Sequence, residues 1–135
     1  MSKLQRASIT FLIALGLVVF LSGCPTEKDA VRTLAESKGV IEKEMGRHGE
    51  CNPANGAVPK TTVCDALNRA IPAQHAAVLA LDAYCSSTDY LTNQGKCLPP
   101  TDPNAKKELQ AKLTTAISNL SPIIASVKSA GGAAQ

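Results

Sequence analysis

One helical stretch bordered by cysteines places the strongest constraint on the fold of this 135-residue chain. From Val63 to Tyr84, apolar residues recur at alternating steps of three and four, which is the spacing of one face of an α-helix. Cys64 and Cys85 lie near its two ends, 21 residues or about 31 Å apart along a helix. A disulfide needs Cα atoms within about 4.4–6.8 Å. These two cysteines therefore cannot bond to each other.

Two further helical stretches flank the central one. Residues 27–47 carry apolar side chains on one face and charged side chains on the other, with Arg32/Glu36 and Lys38/Glu42 as pairs four residues apart. Asp102-Pro103 has the pattern of an N-cap and first helical residue, ahead of a heptad-like repeat. Core positions are expected at Ala30, Val31, Leu34, Ala35, Ile41 and Met45, at Val63, Leu67, Ala70, Gln74, Ala77, Leu81 and Tyr84, and at Leu109, Leu113, Ala116, Leu120, Ile123 and Val127. We predict an all-α fold, a three-helix up-down-up bundle.

Prolines, loops and helix ends refine this prediction. Pro72 lacks an N–H and clashes with the carbonyl four residues back, so we expect a kink or short break near residues 70 and 71, and a second kink at Pro122. Thr26 with Asp29 resembles a capping box, and Thr61 or Thr62 is expected to cap the central helix. Residues 49–61 and 86–101 are expected loops, and either has room for a short helical turn. The bundle is expected to span residues 27–128, followed by a flexible tail at 129–135.

The N-terminal residues form a separate unit. Lys3 and Arg6 precede thirteen uncharged residues, 9–21, as in the n-region and h-region of a secretory signal. This run is short for a helix that spans a bilayer. It leads into Leu21-Ser22-Gly23-Cys24, which resembles the lipobox of bacterial lipoproteins. An uncleaved signal anchor over residues 7–23 is the alternative.

The lipoprotein resemblance covers residues 1–24 and implies that residues 1–23 are a signal peptide cut off by signal peptidase II. It further implies a diacylglyceryl thioether on Cys24 and usually a third acyl chain, such as palmitate, on the freed amine. Two or three chains anchor a protein stably, whereas one holds it only reversibly. Residues 24–26 would then be an acylated terminus and a tether under ~10 Å long, which holds the domain against the bacterial membrane, outside the cytoplasm. Pro25 replaces the Asp of the enteric inner-membrane retention signal, which favours the outer membrane in a cell that has one.

Four cysteines remain in an exported chain, and such chains favour disulfides. Cys51 lies in the loop before Cys64, and Cys97 lies in the loop after Cys85. We therefore predict Cys51–Cys64 and Cys85–Cys97, each contributing roughly 3 kcal/mol in the chain-entropy model. The alternative is a metal site that uses these thiols with a histidine, but the chain has neither C-x2–4-C nor H-x3–5-H spacing.

The composition of residues 24–135 limits the classes of function. These 112 residues suffice for one domain, and they carry 12 Lys and Arg against 11 Asp and Glu, a net charge of +1. A net charge this close to zero does not provide the basic surface that is typical of a nucleic-acid-binding protein. Tyr84 and Tyr90 are the only aromatic residues in this range, so few side chains are available to stack on bases or sugars.

The sequence also gives little support to an enzyme. Glu44 and His48 could form an acid–base pair, although a histidine there more often interacts with the helix C-terminus. His75 is expected at the surface, and no serine has an adjacent histidine or a G-x-S-x-G elbow. We predict a non-enzymatic, lipid-anchored envelope protein, without metal or cofactor, that presents its bundle to a protein partner near the membrane. The alternative is a binder of a small apolar ligand in a cavity between helices kinked at Pro72 and Pro122.

Overall fold

The computed structural model describes residues 27–85 and 97–133. Over these residues it contains three α-helices, α1 (Glu27–Arg47), α2 (Thr62–Tyr84) and α3 (Pro103–Ala133), and no β-strand. The predicted all-α bundle of three helices is therefore confirmed. The expected signal peptide, Cys24, its tether and the Thr26 cap all lie outside the described residues.

The three helices pack in up-down-up order. Ser37 and Gln74, near the middles of α1 and α2, contact each other, as expected for two antiparallel helices of similar length. The start of α2 at Thr62 lies beside Ala130 and Ala133 near the end of α3. Every pair of helices is in contact, and α2 shares its most extensive interface with α3.

Side-chain caps fix where α2 and α3 begin. The Thr61 hydroxyl oxygen accepts a hydrogen bond from the Cys64 backbone N–H at 3.3 Å, which identifies Thr61 rather than Thr62 as the N-cap. The Asp102 carboxylate accepts one from the Ala105 N–H at 2.7 Å, with Pro103 at the first helical position as predicted. Both caps satisfy backbone donors that have no partner within the helix.

The two internal prolines do not interrupt their helices. α2 runs without a break through Pro72, and α3 runs through Pro122, so the short break considered near residues 70 and 71 does not occur. Pro72 leaves the carbonyl of Asn68 without its usual N–H partner. Because Asn68 is exposed, water can satisfy this carbonyl, and buried Ala70 keeps its place in the core.

The core follows the predicted helical faces with two changes of register. In α3 the buried side chains are Leu113, Ile117, Leu120, Ile124 and Val127, which alternate at steps of four and three. The expected positions Ala116 and Ile123 are only partly buried against this core. In α1, Ala35 is a predicted core position, but the structure exposes it to solvent.

Helical structure also extends beyond the expected limits. α3 continues to Ala133, and Gly131 is buried, so residues 129–133 belong to the bundle and not to a flexible tail. The linker between α1 and α2 contains two short 3-10 turns, Gly49–Cys51 and Pro53–Asn55. The Asn52 side chain caps the second turn, accepting from the Ala54 N–H at 3.0 Å. Gly56 follows with φ of 128°, a conformation that favours glycine.

Candidate functional surfaces

Both predicted disulfides are present at opposite ends of α2. The Cα atoms of Cys51 and Cys64 are 4.9 Å apart, and those of Cys85 and Cys97 are 4.5 Å apart. Each bond ties a neighbouring loop to one end of the central helix. Because all four sulfurs are bonded to each other in pairs, none of them is a thiolate that could bind a metal ion.

Glu44 and His48 lie together at the end of α1, as their spacing predicts. The nearest oxygen of Glu44 is 3.8 Å from Nε2 of His48, and its other oxygen is 3.5 Å from the Arg47 guanidinium. Nδ1 of His48 is 3.1 Å from the Glu50 carboxylate, so the imidazole lies between two carboxylates. A backbone hydrogen bond, and secondly the His48 side chain, hold the pKa of Glu50 below its ordinary value.

The Glu44 carboxylate faces the bundle interior instead of solvent. Glu44 is only 6% exposed, and its oxygen Oε2 has no hydrogen-bond partner among the described residues. It packs against Gly131 of α3, where a Cβ atom would lie 2.6 Å from the Glu44 Cδ. A substrate cannot reach a carboxylate enclosed in this way. Glu44 therefore packs α1 against α3, while Arg47 and His48 of α1 lie beside its carboxylate.

A second polar cluster joins α1 to α2. The Ser37 hydroxyl lies within hydrogen-bonding distance of two acceptors, the Gln74 side-chain oxygen and, at 3.0 Å, the Leu34 carbonyl, which share its single hydrogen. The Gln74 amide nitrogen donates to the same Leu34 carbonyl at 3.1 Å. Ser37 is buried, so these bonds offset the cost of placing its hydroxyl in the core. Gln74 lies on the predicted core face of α2, but nothing in the sequence indicates Ser37 as its partner.

Beside this cluster, a groove of about 390 Å³ separates α1 from α2. Leu34 and Val78 contribute its larger apolar side chains, and Gly39 contributes open space, since a Cβ there would meet no described atom within 4 Å. An exposed ion pair between Lys38 and Glu42, 3.7 Å apart, lies along one edge. The groove is thus apolar inside and charged at its rim, an arrangement suited to a small amphipathic molecule.

Neither internal proline lines this groove, in contrast to the expectation of a cavity opened at Pro72 and Pro122. A groove between α1 and α3 measures about 270 Å³ and includes Ser121 and Ile124, which lie close to Pro122 in the sequence. A larger groove of about 510 Å³ runs between α2 and α3, but small residues and Arg69 line it. Of these three grooves, the one between α1 and α2 combines a volume above about 300 Å³ with larger apolar side chains, which suits an apolar ligand best.

The outer face of α2 is unusually apolar for a solvent-facing surface. From Ile71 to Tyr84 the only Asp, Glu, Lys or Arg is Asp82. Leu79 is 54% exposed and Ile71, at the edge of this face, is 43% exposed. We call the following exposed residues, which lie on one side of the helix, the α2 face: Pro72, His75, Ala76, Leu79 and Ala83.

Three further features are the position of His75, a metal site and a membrane-spanning helix. His75 is exposed on the α2 face, as predicted for a surface histidine. Within residues 27–85 and 97–133, no group of three or more His, Cys, Asp or Glu side chains is placed to hold a metal ion. Across those same ranges, no helix has both the length and the apolar character needed to span a bilayer.

No protein-family model matches this chain, and no match was found among curated proteins or solved structures. Its function must therefore be inferred from its own residues and their arrangement.

Proposed function

We propose that this protein is a lipid-anchored, non-enzymatic component of the bacterial cell envelope that presents a rigid helical bundle to a protein partner close to the membrane. The observation that carries this proposal is the spacing between the lipobox cysteine and the bundle. α1 begins at Glu27, so only two residues separate Cys24 from a helix that packs into the core. Such a short connection holds the domain against the lipid surface.

The two disulfides support a location outside the cytoplasm. Two disulfides within one small domain are typical of proteins folded in oxidising compartments. They also stiffen both ends of α2, the helix that carries the exposed apolar surface. A stiff surface loses little conformational entropy when it binds, which favours a role in recognition.

The α2 face is the surface best suited to a protein partner. It presents a large exposed aliphatic side chain, Leu79, among small neighbours and without a formal charge. Apolar side chains at helical spacing on an exposed helix fit the groove or helix of another protein. The polar, ion-paired outer surface of α1, with Arg32–Asp29 and Lys38–Glu42 pairs, is less suited to such contact.

Mass spectrometry of the mature protein, with and without reduction, tests the anchor. We expect a chain beginning at Cys24 with two or three acyl groups, and a gain of four hydrogens upon reduction of the two disulfides. The matched variant Cys24→Ser should stay unprocessed and lose the lipid. A mature protein that begins elsewhere, or a Cys24→Ser product with the same processing as the parent, would contradict the proposal.

Photo-crosslinking in intact envelopes tests the partner surface. A photoreactive amino acid at Leu79 or His75 should give the same discrete crosslinked protein, because both positions lie on the α2 face. The same amino acid at Glu36, an exposed position on α1, is the matched control and should give none. Recovery of the protein with no reproducible partner, or equal products from all three positions, would count against the proposed role.

A second candidate function is the binding of a small apolar ligand, which the α1–α2 groove favours. Its volume of about 390 Å³ exceeds the roughly 300 Å³ expected of a small-molecule site. Gly39→Leu should fill the groove and abolish binding of a fluorescent fatty acid. Gly46→Leu is the matched control, since a Cβ there also meets no described atom within 4 Å but Gly46 does not line the groove. Equal binding by both variants would remove this candidate.

A further inference from the structure

At the end of the bundle where α1 begins, α3 extends beyond α1. The two helices run parallel, because Glu44 packs against Gly131, and Ser37 shares a groove with Ile124. From Gly131 back to Pro103, α3 extends about 42 Å, whereas α1 extends only about 26 Å from Glu44 back to Glu27. Allowing for a modest crossing angle, the first turns of α3 project about 15 Å beyond the start of α1.

This projection is longer than the connection to the proposed lipid anchor. Three residue steps join Cys24 to Glu27, and a fully extended chain of that length spans only about 10 Å. An upright bundle would therefore carry the start of α3 past the level of the acylated residue. The headgroup layer of one leaflet is roughly 5–7 Å thick, so the first turn of α3 would enter it.

The side chains at this end suit a lipid headgroup layer. Lys106 and Lys107 are exposed and form no salt bridge within the described part of the chain, while Lys112 pairs with Glu108 at 2.7 Å. Leu98 lies beside the Cys85 end of α2, where its N–H donates to the Cys85 carbonyl at 3.3 Å, and its side chain is 71% exposed. Unpaired lysines at the same end of the bundle as an exposed leucine can contact lipid phosphates while the leucine reaches the acyl boundary.

A bundle tilted onto the side of α1 would lift the start of α3 away from lipid. The exposed surface of α1 alternates acidic and basic side chains, with Glu42 paired to Lys38 at 3.7 Å, so its charges largely offset one another and offer an anionic lipid surface little net attraction. The upright orientation instead presents Lys106 and Lys107, which have no carboxylate partner among the described residues, to the lipid phosphates.

We propose that the first turns of α3, through Lys106 and Lys107, together with Leu98, dock into the headgroup layer of an anionic bilayer. This inference rests on the lipid anchor proposed above and assigns the end of the domain that faces the membrane. It also leaves the α2 face, which runs along the side of the bundle, open to a partner.

Tryptophan fluorescence in vesicles tests this orientation, because the chain has no tryptophan of its own. Leu98→Trp is introduced into the full chain, and the purified acylated protein is placed in phosphatidylglycerol-containing vesicles with or without bromine on the acyl chains. We expect a roughly twofold loss of fluorescence in the brominated vesicles if the side chain reaches the acyl boundary. Ile71→Trp is the control, since residue 71 lies about 21 Å from Cys85 along α2 and should not be quenched.

A charge-reversal pair tests the lysines. Lys106→Glu/Lys107→Glu, added to the Leu98→Trp protein, should reduce the quenching. Lys43→Glu/Lys128→Glu makes the same change in net charge away from this end and should leave the quenching unaltered. Quenching at position 98 no greater than at position 71, in protein whose acylation is verified by mass, would overturn the orientation alone. Protein without acyl groups at Cys24 would overturn the anchor and the orientation together.

Discussion

Replacement of Gly131 by alanine tests whether the Glu44 contact sets the packing of α1 against α3. A Cβ at this position would lie 2.6 Å from the Glu44 Cδ, although ordinary contacts of this kind are no closer than about 3.4 Å. One of the two helices, or the Glu44 side chain, must move by nearly 1 Å. Glu44 is held between Arg47 and His48 and is almost fully buried, so its movement disturbs the end of α1 as well.

The expected cost of Gly131→Ala is about 1 kcal/mol of unfolding free energy. Insertion of a methyl group into a packed interior typically costs about 1–3 kcal/mol. Alanine offsets up to about 1 kcal/mol of this through its higher helix propensity, although less near a helix end. Glu44 can also relieve part of the clash by turning its carboxylate toward solvent, where its unpaired oxygen regains hydration. The lower part of the range is therefore expected.

Urea denaturation followed by circular dichroism measures this change, and Gly132→Ala provides the matched control. Gly132 is the next residue of the same helix, and a Cβ there meets no described atom within 4 Å. We expect Gly132→Ala to be neutral or slightly stabilising. In a Glu44→Ala background, Gly131→Ala should also become harmless, giving a coupling of about 1 kcal/mol. Equal stability of the two glycine variants, or a coupling below about 0.5 kcal/mol, would refute the assigned contact.

Three further predictions address the disulfides, the polar cluster and an exposed ion pair. Substitution of Cys85 and Cys97 by alanine should cost about 3 kcal/mol and lower Tm by on the order of 10–20 °C in calorimetry; an unchanged Tm would contradict this. Gln74→Ala should lower the unfolding free energy by about 1–2 kcal/mol in urea denaturation, because it removes the two hydrogen bonds that join α2 to Ser37 and Leu34 of α1; a loss under about 0.5 kcal/mol would argue against the cluster. A hydrogen bond from Lys112 and, secondly, the positive charge of Lys112 lower the pKa of the Glu108 carboxyl below its ordinary 4.5. The ion pair therefore stabilises the fold at pH values above 4.5, and this stabilisation is lost as the pH falls through the lowered pKa. Lys112→Met should restore the ordinary pKa of Glu108 in an NMR titration, and an unchanged value would exclude this cause.

The fold could be predicted because local signals agreed with one another. Apolar residues at helical spacing located all three helices, and Asp102-Pro103 placed the start of α3 at the correct residue. The disulfide pairing followed from the length of α2, which keeps Cys64 and Cys85 apart, and from the two flanking loops, which place Cys51 and Cys97 at its opposite ends. Helix ends were predicted less well at the C-terminus of α3, where Gly131-Gly132 resembles a frayed tail but is held by packing.

Interior contacts could not be predicted because they depend on which helices meet at each level. Two adjacent isoleucines, Ile123 and Ile124, both fit a helical repeat, and only contact with α1 and α2 selects Ile124 for the core. Ser37 and Glu44 lie three residues after Leu34 and Ile41, which places them on the buried sides of their helix turns. A polar side chain at such a position does not by itself indicate burial. A buried serine or glutamate becomes interpretable only when its partner on another helix is known.

The location of the two disulfides bears on how the chain matures if it is exported as proposed. Each bond joins cysteines only 13 or 12 positions apart, so neither depends on the finished packing of the helices. Crossing a membrane from the N-terminus onward, the chain exposes Cys64 to an oxidant while α3 is still on the other side. The first bond can therefore close before the second pair of thiols emerges, and sequential emergence disfavours the wrong pairings without help from an isomerase.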